Sequence, residues 1–325
     1  MEPSPPSVDV PTDAEGPVPQ VSVLMSVYNG ELYLAEAIES VLAQSLSDFE
    51  FLIHDDGSTD GSWAILQDFA ARDARIRLSQ GANVGLAAAV NGLLKRARAE
   101  LIARMDADDI CMPDRFARQV ARFQIEPDLD VLGMACLQID GAGRPLLITS
   151  PHEDHATIDD LNLRGLCAMD HPAVMFRRSK ILAVGGYDPS FRSAQDLDLW
   201  LRAAEHGKLA NMKAIGIKYR LHTSSISGAN GAQQATNARR ACDAAKARRG
   251  VEVPFDYKPW RMGEDRASKI DFYRRYAWQA WGNGFRDTWR HYALTALRMD
   301  PFAPESWNLL LTGWLRRPKA RVGRG

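Results

Sequence analysis

Three aspartates lie within four positions in the stretch RMDADDICMPDR, which begins at Arg104. Asp106, Asp108 and Asp109 follow directly on the apolar run LIARM. Carboxylates crowded in this way cost free energy unless a cation or hydrogen-bond donors meet them. Mg²⁺ and Mn²⁺ prefer oxygen ligands and often share them with a diphosphate. The cluster therefore indicates a site for a divalent cation that also meets phosphate groups.

A calcium-binding EF-hand loop does not explain this cluster. Counted from Asp106, such a loop needs glycine at position 6 and glutamate at position 12, where this chain has Cys111 and Ala117. A purely structural explanation stays open, in which residues 106–109 form a solvated loop and Asp114 caps the next helix.

A second acidic pair, Asp55 and Asp56, opens the turn DDGSTDGS after another apolar run. The turn lacks the Gly-x-Gly-x-x-Gly fingerprint of dinucleotide binding, and the sequence contains no Gly-x-x-x-x-Gly-Lys phosphate loop. A carboxylate here can accept hydrogen bonds from a base or from ribose hydroxyls. Ser58 and Asp60 also suit the N-cap of a following helix, so binding and capping both stay open, for different residues.

The elements that must position these residues alternate along the chain. Apolar runs at 21–27, 49–53, 76–79 and 101–105 predict buried strands, and helical spacing covers 34–42, 63–71 and 86–97. Right-handed βαβ units then build a mostly parallel, doubly wound α/β sheet with helices on both faces. Such sheets bind ligands at the carboxyl ends of their strands, so we expect both acidic clusters on one rim.

Further elements follow downstream. A helix is predicted from Pro113, since proline suits a first helical turn. Strands at 131–138 and 144–148 flank the turn signal DGAG and predict a hairpin. A helix over 196–206 ends at Gly207, and 214–221 is strand-like.

Charge is distributed unevenly, although the formal net charge is only -1. Residues 231–325 contain 19 Lys/Arg against 9 Asp/Glu, and tryptophans lie among them. Arginine interleaved with tryptophan is compatible with an anionic membrane surface, with nucleic acid, or with helices that simply bury their tryptophans beside a solvated tail. We expect no nucleic-acid partner. A lipid-linked substrate would favour peripheral contact with a membrane through this basic segment.

The cysteines at 111, 136, 167 and 242 are too widely spaced for a disulfide framework or a metal finger. They predict reduced, mostly buried residues of a cytoplasmic protein. No apolar run approaches the roughly 18 to 20 residues of a membrane span, and the N-terminus lacks the pattern of a signal peptide. We expect a disordered Pro-rich leader over 1–18, a catalytic domain over 19–228 and a basic, Trp-rich helical region over 229–325.

An ordered set of motifs carries a specific resemblance. The segments VSVLMSVYNG, FLIHDDGSTDGS, NVGLAAAVNGLL, MDADDICMPDR, HPAVMFRRS, GGYD, QDLDLW and YRLH follow one another in this order. Together they resemble the inverting nucleotide-sugar glycosyltransferases of family 2, of the type that builds bacterial polysaccharides and glycolipids for the cell envelope. The resemblance implies the Rossmann-like GT-A fold. It also implies metal-assisted transfer, with Mn²⁺ or Mg²⁺, from a UDP-, GDP- or dTDP-sugar to a hydroxyl of a glycan or lipid-linked acceptor.

The same resemblance implies roles for individual residues on the donor side. Nucleoside and loop contacts would come from Ser26, Tyr28, Asp56, Asn83 and Gly85. Asp106-x-Asp108 would be the DxD motif, in which Asp108 best matches the metal ligand and Asp106 also approaches the ribose or sugar. His222 matches a position near the diphosphate and would add a metal ligand, although a lone histidine after a strand equally often packs. Asp109 has no assigned role.

Asp196, in SAQDLDLW, matches the general base that takes the proton from the acceptor hydroxyl. The residue before it is Gln195, where the family motif has glutamate. Asp198 is an alternative base, but two positions along a helix it points away from Asp196. A plain helix cap is the structural alternative for Asp196. His171, which opens HPAVMFRRS, is equally compatible with positioning a substrate and with packing.

Two other functions fit parts of the pattern. A glycoside hydrolase also uses two carboxylates, but it needs neither a metal nor a nucleotide pocket. A catalytically silent sugar-nucleotide or glycan-binding protein could keep the same fold, since fold alone does not fix function. Stabilisation by nucleotides would separate transferase from hydrolase, and hydrolysis of the donor would separate transferase from silent protein.

Overall fold

The computed structural model describes residues 8–9, 16–221, 231–257 and 265–315. The chain divides into two compact units. The first unit combines Met1–Ala135, Ser150–Lys218 and Ala232–Lys258, and the second combines Cys136–Thr149, Tyr219–Gly231 and Pro259–Gly325. Most of the predicted leader and His222 lie outside the described residues.

Ten strands form one mixed sheet. They are β1 (Val8–Asp9), β2 (Val21–Val27), β3 (Phe49–Asp55), β4 (Ile76–Gln80), β5 (Leu101–Arg104), β6 (Ile110–Cys111), β7 (Leu129–Asp140), β8 (Pro145–Ile148), β9 (Met175–Arg177) and β10 (Lys208–Leu221). Their order is β1-β4-β3-β2-β5-β9-β7-β10-β6, and β8 pairs with β7 off this path.

The helices alternate with these strands through the first unit and dominate the second. They are α1 (Leu34–Leu42), α2 (Ser62–Arg72), α3 (Leu86–Arg96), α4 (Arg115–Ile125), α5 (His155–Leu163), α6 (Arg178–Ala183), α7 (Gln195–Ala204), α8 (Gly231–Arg249), α9 (Arg266–Gly282), α10 (Arg286–Met299) and α11 (Pro304–Leu315). A short 3₁₀ helix covers His171–Ala173. In the described part of the chain, no helix is both long and apolar enough to span a bilayer.

The central strands are parallel, as predicted. β3 pairs with β2 and β4, and β2 pairs with β5, all in parallel register. β2 and β3 are buried along almost their whole length, because helices cover both of their faces. One apolar cluster includes Val23, Phe51 and α1, and another includes Leu24, Leu52 and α3. The predicted α/β architecture is confirmed.

Antiparallel strands extend the sheet beyond β5. β9 lies between β5 and β7 and is antiparallel to both, and β6 is antiparallel to β10. Neither β6 nor β9 was predicted, since two or three residues are too few to show a periodicity.

The second unit has its own apolar core, formed by α9, α10, α11 and the β8 hairpin. Tyr276, Trp289 and Tyr292 are buried in it beside Leu146 and Leu309. The hydroxyl of Tyr292 donates to Asp140 Oδ2 at 2.7 Å, so the buried end of this ring is satisfied by a carboxylate. The tryptophans of this unit divide between the core and the surface: Trp289 is buried, whereas Trp278 and Trp307 are exposed.

Candidate active site

The parallel register brings the two acidic clusters to one rim of the sheet. Val27 at the end of β2 lies opposite Asp55 at the end of β3, and Asp55 lies opposite Gln80 at the end of β4. β5 ends beside β2, where the amide of Met105 donates to the carbonyl of Leu24 at 3.1 Å. The chain leaves each of these strands at the same edge, as predicted.

Asp56 is buried, with 2% of its surface exposed, and it holds the loop that follows β4. Its Oδ1 accepts from the amide of Val84 at 2.8 Å, and its Oδ2 accepts from the amide of Gly85 at 2.9 Å. Gly57 has a φ of +79°, and a Cβ there would lie 2.9 Å from the amide nitrogen of Asn83. The turn after β3 and the loop 81–85 are therefore packed together, with Asn83 exposed on the outside.

Asp55 is also buried and satisfied by its own chain. Its Oδ2 accepts from Gln80 Nε2 at 2.8 Å, and its Oδ1 accepts from the amide of Ser58 at 3.3 Å. His54 precedes Asp55 in β3. Burial lowers the pKa of His54, although the negative charge of Asp56 acts to raise it. Asp55 thus stabilises the end of β3.

The loop after β2 is fixed by hydroxyl and carboxylate acceptors from the turn 58–62. Ser58 Oγ accepts from the amide of Asn29 at 3.0 Å, and Ser62 Oγ accepts from the amide of Gly30 at 2.9 Å. Asp60 accepts from the amide of Glu31 at 3.1 Å. Tyr28 stands at the start of this fixed loop with 55% of its surface exposed.

Asp106, Asp108 and Asp109 converge, with one ligand oxygen from each lying within 4.8 Å of the others. Asp106 and Asp108 are half-buried and Asp109 is buried. Burial raises the pKa of Asp106, and the Asp108 carboxylate raises it further, against the lowering effect of Arg104. Three convergent oxygen donors with surplus negative charge are the ligand set that Mg²⁺ and Mn²⁺ prefer, so these residues fit a divalent ion.

This cluster touches the loop that carries Tyr28. A Cβ placed on Gly30 would lie 3.6 Å from Cβ of Ala107, the residue between Asp106 and Asp108. The side chains expected to border a nucleoside and those expected to hold a metal are therefore neighbours.

A buried guanidinium lies beneath the cluster. Arg104 donates to Asp106 Oδ1 and to the carbonyl of Met105. Its own carbonyl accepts from Arg115 Nη2 at 2.9 Å, and the same Nη2 donates to the carbonyl of Val174 at 3.0 Å. Arg104 and Arg115 are both buried. Arg104 was not predicted to lie at the site, because an arginine within an apolar strand gives no pattern of its own.

Asp196 stands at the first turn of α7, after Ala194, whose φ of +58° is unusual for a residue with a side chain. Its Oδ1 accepts from the amide of Leu197 at 2.9 Å, and Cys167 Sγ lies 3.7 Å from its Oδ2. Burial raises the pKa of Asp196, and the Asp106 carboxylate adds to that rise. A carboxylate with a raised pKa is better matched to accepting a proton from a hydroxyl.

Asp198, the alternative base, is engaged elsewhere. It is buried, and its Oδ2 accepts from Arg202 Nη2 at 2.6 Å and from Arg202 Nε at 3.0 Å. Arg202 Nη1 also donates to the carbonyl of Val184 at 2.6 Å. The hydrogen bond to Val184 fixes α7 to the end of α6. The ion pair within α7 engages Asp198, which leaves Asp196 as the acidic side chain of this helix suited to proton transfer.

His171 and Tyr187 are both buried and form a hydrogen bond with each other. His171 Nε2 lies 2.8 Å from the hydroxyl of Tyr187, and burial lowers the pKa of His171 and raises that of Tyr187. Asn91 fixes Tyr187 from α3, donating to its carbonyl at 2.7 Å and accepting from its amide at 2.9 Å. His171 therefore packs and makes a hydrogen bond within the core. Tyr187, the tyrosine of GGYD, and Cys167 were not predicted as parts of the site.

Comparisons with known proteins identify related glycosyltransferases. Residues 22–183 match the family model described as Glycosyl transferase family 2. EpsE of Bacillus subtilis, which is named as a glycosyltransferase, is 37% identical over 58% of this chain and 68% of its own length. The amylovoran biosynthesis glycosyltransferase AmsE of Erwinia amylovora is 30% identical over 61% of this chain and 75% of its own length.

Solved structures show the same fold at low sequence identity. TarS of S. aureus, residues 1–349 in complex with UDP-GlcNAc, aligns with a TM-score of 0.56 and 18% identity over 90% of this chain and 88% of that one. The mannosyltransferase PcManGT of Pyrobaculum calidifontis, in complex with GDP-Man and Mn²⁺, aligns with a TM-score of 0.53 and 18% identity over 97% of this chain and 83% of that one.

Proposed function

The chain belongs to glycosyl transferase family 2 and is a glycosyltransferase; from this premise we propose that it is an inverting, metal-assisted enzyme with Asp196 as its general base. The observation that carries the proposal is the convergence of Asp106, Asp108 and Asp109, with one ligand oxygen of each within 4.8 Å of the others. The negative charge of Asp106 also contributes to the raised pKa of Asp196, after burial as the main cause. Family membership also favours a transferase over a glycoside hydrolase.

In this mechanism the donor is a nucleotide-diphospho-sugar. Its nucleoside would contact Ser26 and the exposed ring of Tyr28, and its diphosphate would lie between the Asn83–Gly85 loop and the acidic cluster. When bound to Asp106 and Asp108, Mn²⁺ or Mg²⁺ would stabilise the charge that develops on the diphosphate. His222 would add a further ligand, and this remains a prediction from the sequence.

Asp196 would accept the proton of the acceptor hydroxyl as that oxygen bonds to the anomeric carbon. The bond from this carbon to the diphosphate oxygen breaks on the opposite side, and its electron pair leaves with the diphosphate. A single displacement of this kind inverts the anomeric configuration. Cys167 and the amide of Leu197 hold the carboxylate of Asp196 in place.

The first experiment is a thermal-shift screen with UDP-, GDP- and dTDP-sugars, with and without Mn²⁺. TarS is solved with UDP-GlcNAc and PcManGT with GDP-Man, which supports starting with UDP- and GDP-sugars. Asp196→Asn should then lose transfer by about 10²- to 10⁴-fold, the usual effect of a general base, and keep donor binding. Asp68→Asn is the matched control, because Asp68 is exposed on α2 and pairs with Arg72.

Full transfer by Asp196→Asn would refute the role of Asp196. A protein that binds a donor but neither transfers nor hydrolyses its sugar would instead be the silent binding protein considered from the sequence.

The acceptor is proposed to be a glycan or lipid-linked hydroxyl at the inner face of the cytoplasmic membrane, and the second unit supports membrane contact. On α11, Trp307, Leu311 and Leu315 recur every four residues, so they share one helix face. They are 49%, 56% and 82% exposed, whereas Ser306 and Leu309 on the other side are buried. Ten further residues, with five Lys/Arg and no Asp/Glu, follow Leu315. An apolar stripe next to basic residues suits anionic lipid.

Co-sedimentation with vesicles tests this contact. The protein should pellet with phosphatidylglycerol-containing vesicles at low salt and less with pure phosphatidylcholine. Trp307→Ser with Leu311→Ser should reduce pelleting, and Asn308→Ser, an exposed polar position on the same helix, should not. No pelleting of the unaltered protein with anionic vesicles would contradict the membrane contact.

A further inference from the structure

Arg192 is an exposed arginine on a segment whose backbone is fixed on both sides. Its neighbours Phe191 and Ser193 are buried. The ring of Phe191 packs in the core formed with α7 and α8, and the guanidinium of Arg240 lies 3.7 Å from its centroid. Ser193 Oγ accepts from Asn237 Nδ2 at 3.0 Å. The side chain of Arg192 is exposed between these two buried side chains.

The guanidinium of Arg192 lies beside the loop after β4. A Cβ placed on Gly85 would lie 3.3 Å from Nη1 of Arg192, the one atom within 4 Å of that position. Gly85 is the residue whose amide Asp56 holds, and it precedes the first turn of α3. Arg192 also lies four residues before Asp196. Its guanidinium thus lies against the loop that is expected to cover the donor.

The partners of neighbouring arginines make this position unusual. Arg202 pairs with Asp198, Arg248 with Glu205, and Arg249 with Asp159. For Arg192, no hydrogen bond or ion pair is formed with any residue in the described ranges, although the side chains on either side of it are held in the core. An anchored guanidinium with unused donors beside a predicted phosphate site fits an anionic ligand.

We propose that Arg192 binds the diphosphate of the nucleotide-sugar donor and stabilises the charge on it as the sugar leaves. The proposal rests on the proposed glycosyl transfer. The bond between the anomeric carbon and the diphosphate oxygen breaks, its electron pair passes to that oxygen, and Arg192 stays protonated throughout, donating N–H hydrogen bonds. Arginine suits this role because its planar fork can bind two phosphate oxygens at once.

The test compares ligands that differ only in phosphate number. Calorimetry measures the affinity of the nucleoside, its monophosphate and its diphosphate for the unaltered protein, for Arg192→Gln and for Arg192→Lys. We expect Arg192→Gln to lose about ten- to a hundredfold in diphosphate affinity, the effect of removing hydrogen bonds to a charged group, while nucleoside affinity stays unchanged. Arg192→Lys should keep part of the diphosphate affinity, because it retains the charge without the fork.

Arg72→Gln is the control for loss of a positive charge, since Arg72 is exposed on α2 and pairs with Asp68. Turnover should fall with Arg192→Gln and remain unchanged with Arg72→Gln. Melting temperatures without ligand show whether each variant is folded, and Arg192→Lys serves if the glutamine variant is not.

Each outcome decides between the two proposals. If the unaltered protein binds no nucleoside diphosphate, the proposed function itself fails. If the unaltered protein binds a nucleoside diphosphate, the ratio of its diphosphate to its monophosphate affinity is the quantity to compare. An equal ratio in Arg192→Gln would refute the proposed role of Arg192. An equal loss for nucleoside and diphosphate would also overturn it, because that result indicates a distorted loop. A raised KM for the acceptor alone would assign Arg192 to the acceptor instead.

Discussion

The acidic residues after β3 and after β5 look alike in sequence but have opposite surroundings. Asp55 and Asp56 are buried, and four N–H groups of their own chain donate to them. After β5, three carboxylates converge within 4.8 Å, and burial together with the Asp108 charge raises the pKa of Asp106. The first pair organises the protein's own loops. The second cluster keeps surplus negative charge, which suits a cation from outside.

The two acidic groups differ in how their charge is met: N–H groups of the neighbouring turns donate to both carboxylates after β3, whereas three carboxylates share one small volume after β5, where Arg104 donates to Asp106. Substitutions after β3 should therefore act mainly on stability, and substitutions after β5 mainly on metal-dependent transfer.

Within these two acidic groups, the largest effect is expected for Asp108→Asn. Transfer should fall by about 10²- to 10³-fold, because electrostatic stabilisation of the departing diphosphate is lost. The melting temperature should stay the same or rise, since one of three crowded charges is removed. Transfer measured with and without EDTA checks the cause: chelation should reduce the rate of the unaltered protein and change that of the variant little. A strongly destabilised variant would contradict the comparison.

An intermediate effect is expected for Asp56→Asn. The amide can accept from only one of the amides of Val84 and Gly85, and its NH₂ group would face the other donor. Losing a buried hydrogen bond in this way should lower the free energy of unfolding by about 1–3 kcal/mol, which urea denaturation measures. Donor affinity should also fall, because the loop over the donor loosens.

Asp68→Asn serves again as the exposed control and should leave unfolding unchanged. The dependence of transfer on metal should survive in Asp56→Asn. If Asp56→Asn matched the unaltered protein in stability and Asp108→Asn did not, the roles assigned to the two clusters would be reversed.

Much of this arrangement could be predicted because it depends on local pattern. The buried runs of β2 and β3 are continuous apolar segments, and parallel strands must end on one rim, so the meeting of the two clusters followed from topology. The ion pair of Asp198 with Arg202 has helical i, i+4 spacing, which is also visible in sequence.

The remaining features depend on contacts between distant segments. Cys167 and Asp196 are 29 positions apart. Cys167 and Ala194, at the two ends of this contact, both have positive φ, and neither residue type predicts such a backbone conformation. Arg192 meets Gly85 only because Phe191 and Ser193 are buried against α8. The antiparallel insertion of β9 involves three residues, so the sequence alone could not reveal it.

The smallest effect is expected for Cys167→Ala, and it concerns the third carboxylate, Asp196, which shares features of both clusters. Like Asp56 it accepts hydrogen bonds from its own chain, and like Asp106 its pKa is raised, by burial first and by a neighbouring carboxylate. The proposed base must be ionised, so transfer should decline as pH falls through this raised pKa, at higher pH than for an ordinary aspartate.

Burial raises the pKa of the Cys167 thiol well above its usual range, so the thiol stays protonated. Two acceptors share its one proton, Asp196 Oδ2 at 3.7 Å and the carbonyl of Met169 at 3.6 Å. Removing this donor raises the pKa of Asp196 further, because the charged form loses a partner. The acidic limb of the pH–rate profile should then move to higher pH in Cys167→Ala and stay in place in Cys167→Ser, which keeps a donor. The rate near neutrality should fall by only a few-fold, since S–H···O hydrogen bonds are weak, under about 1 kcal/mol. An acidic limb that moves equally in both variants would mean that Cys167 contributes packing and not a hydrogen bond.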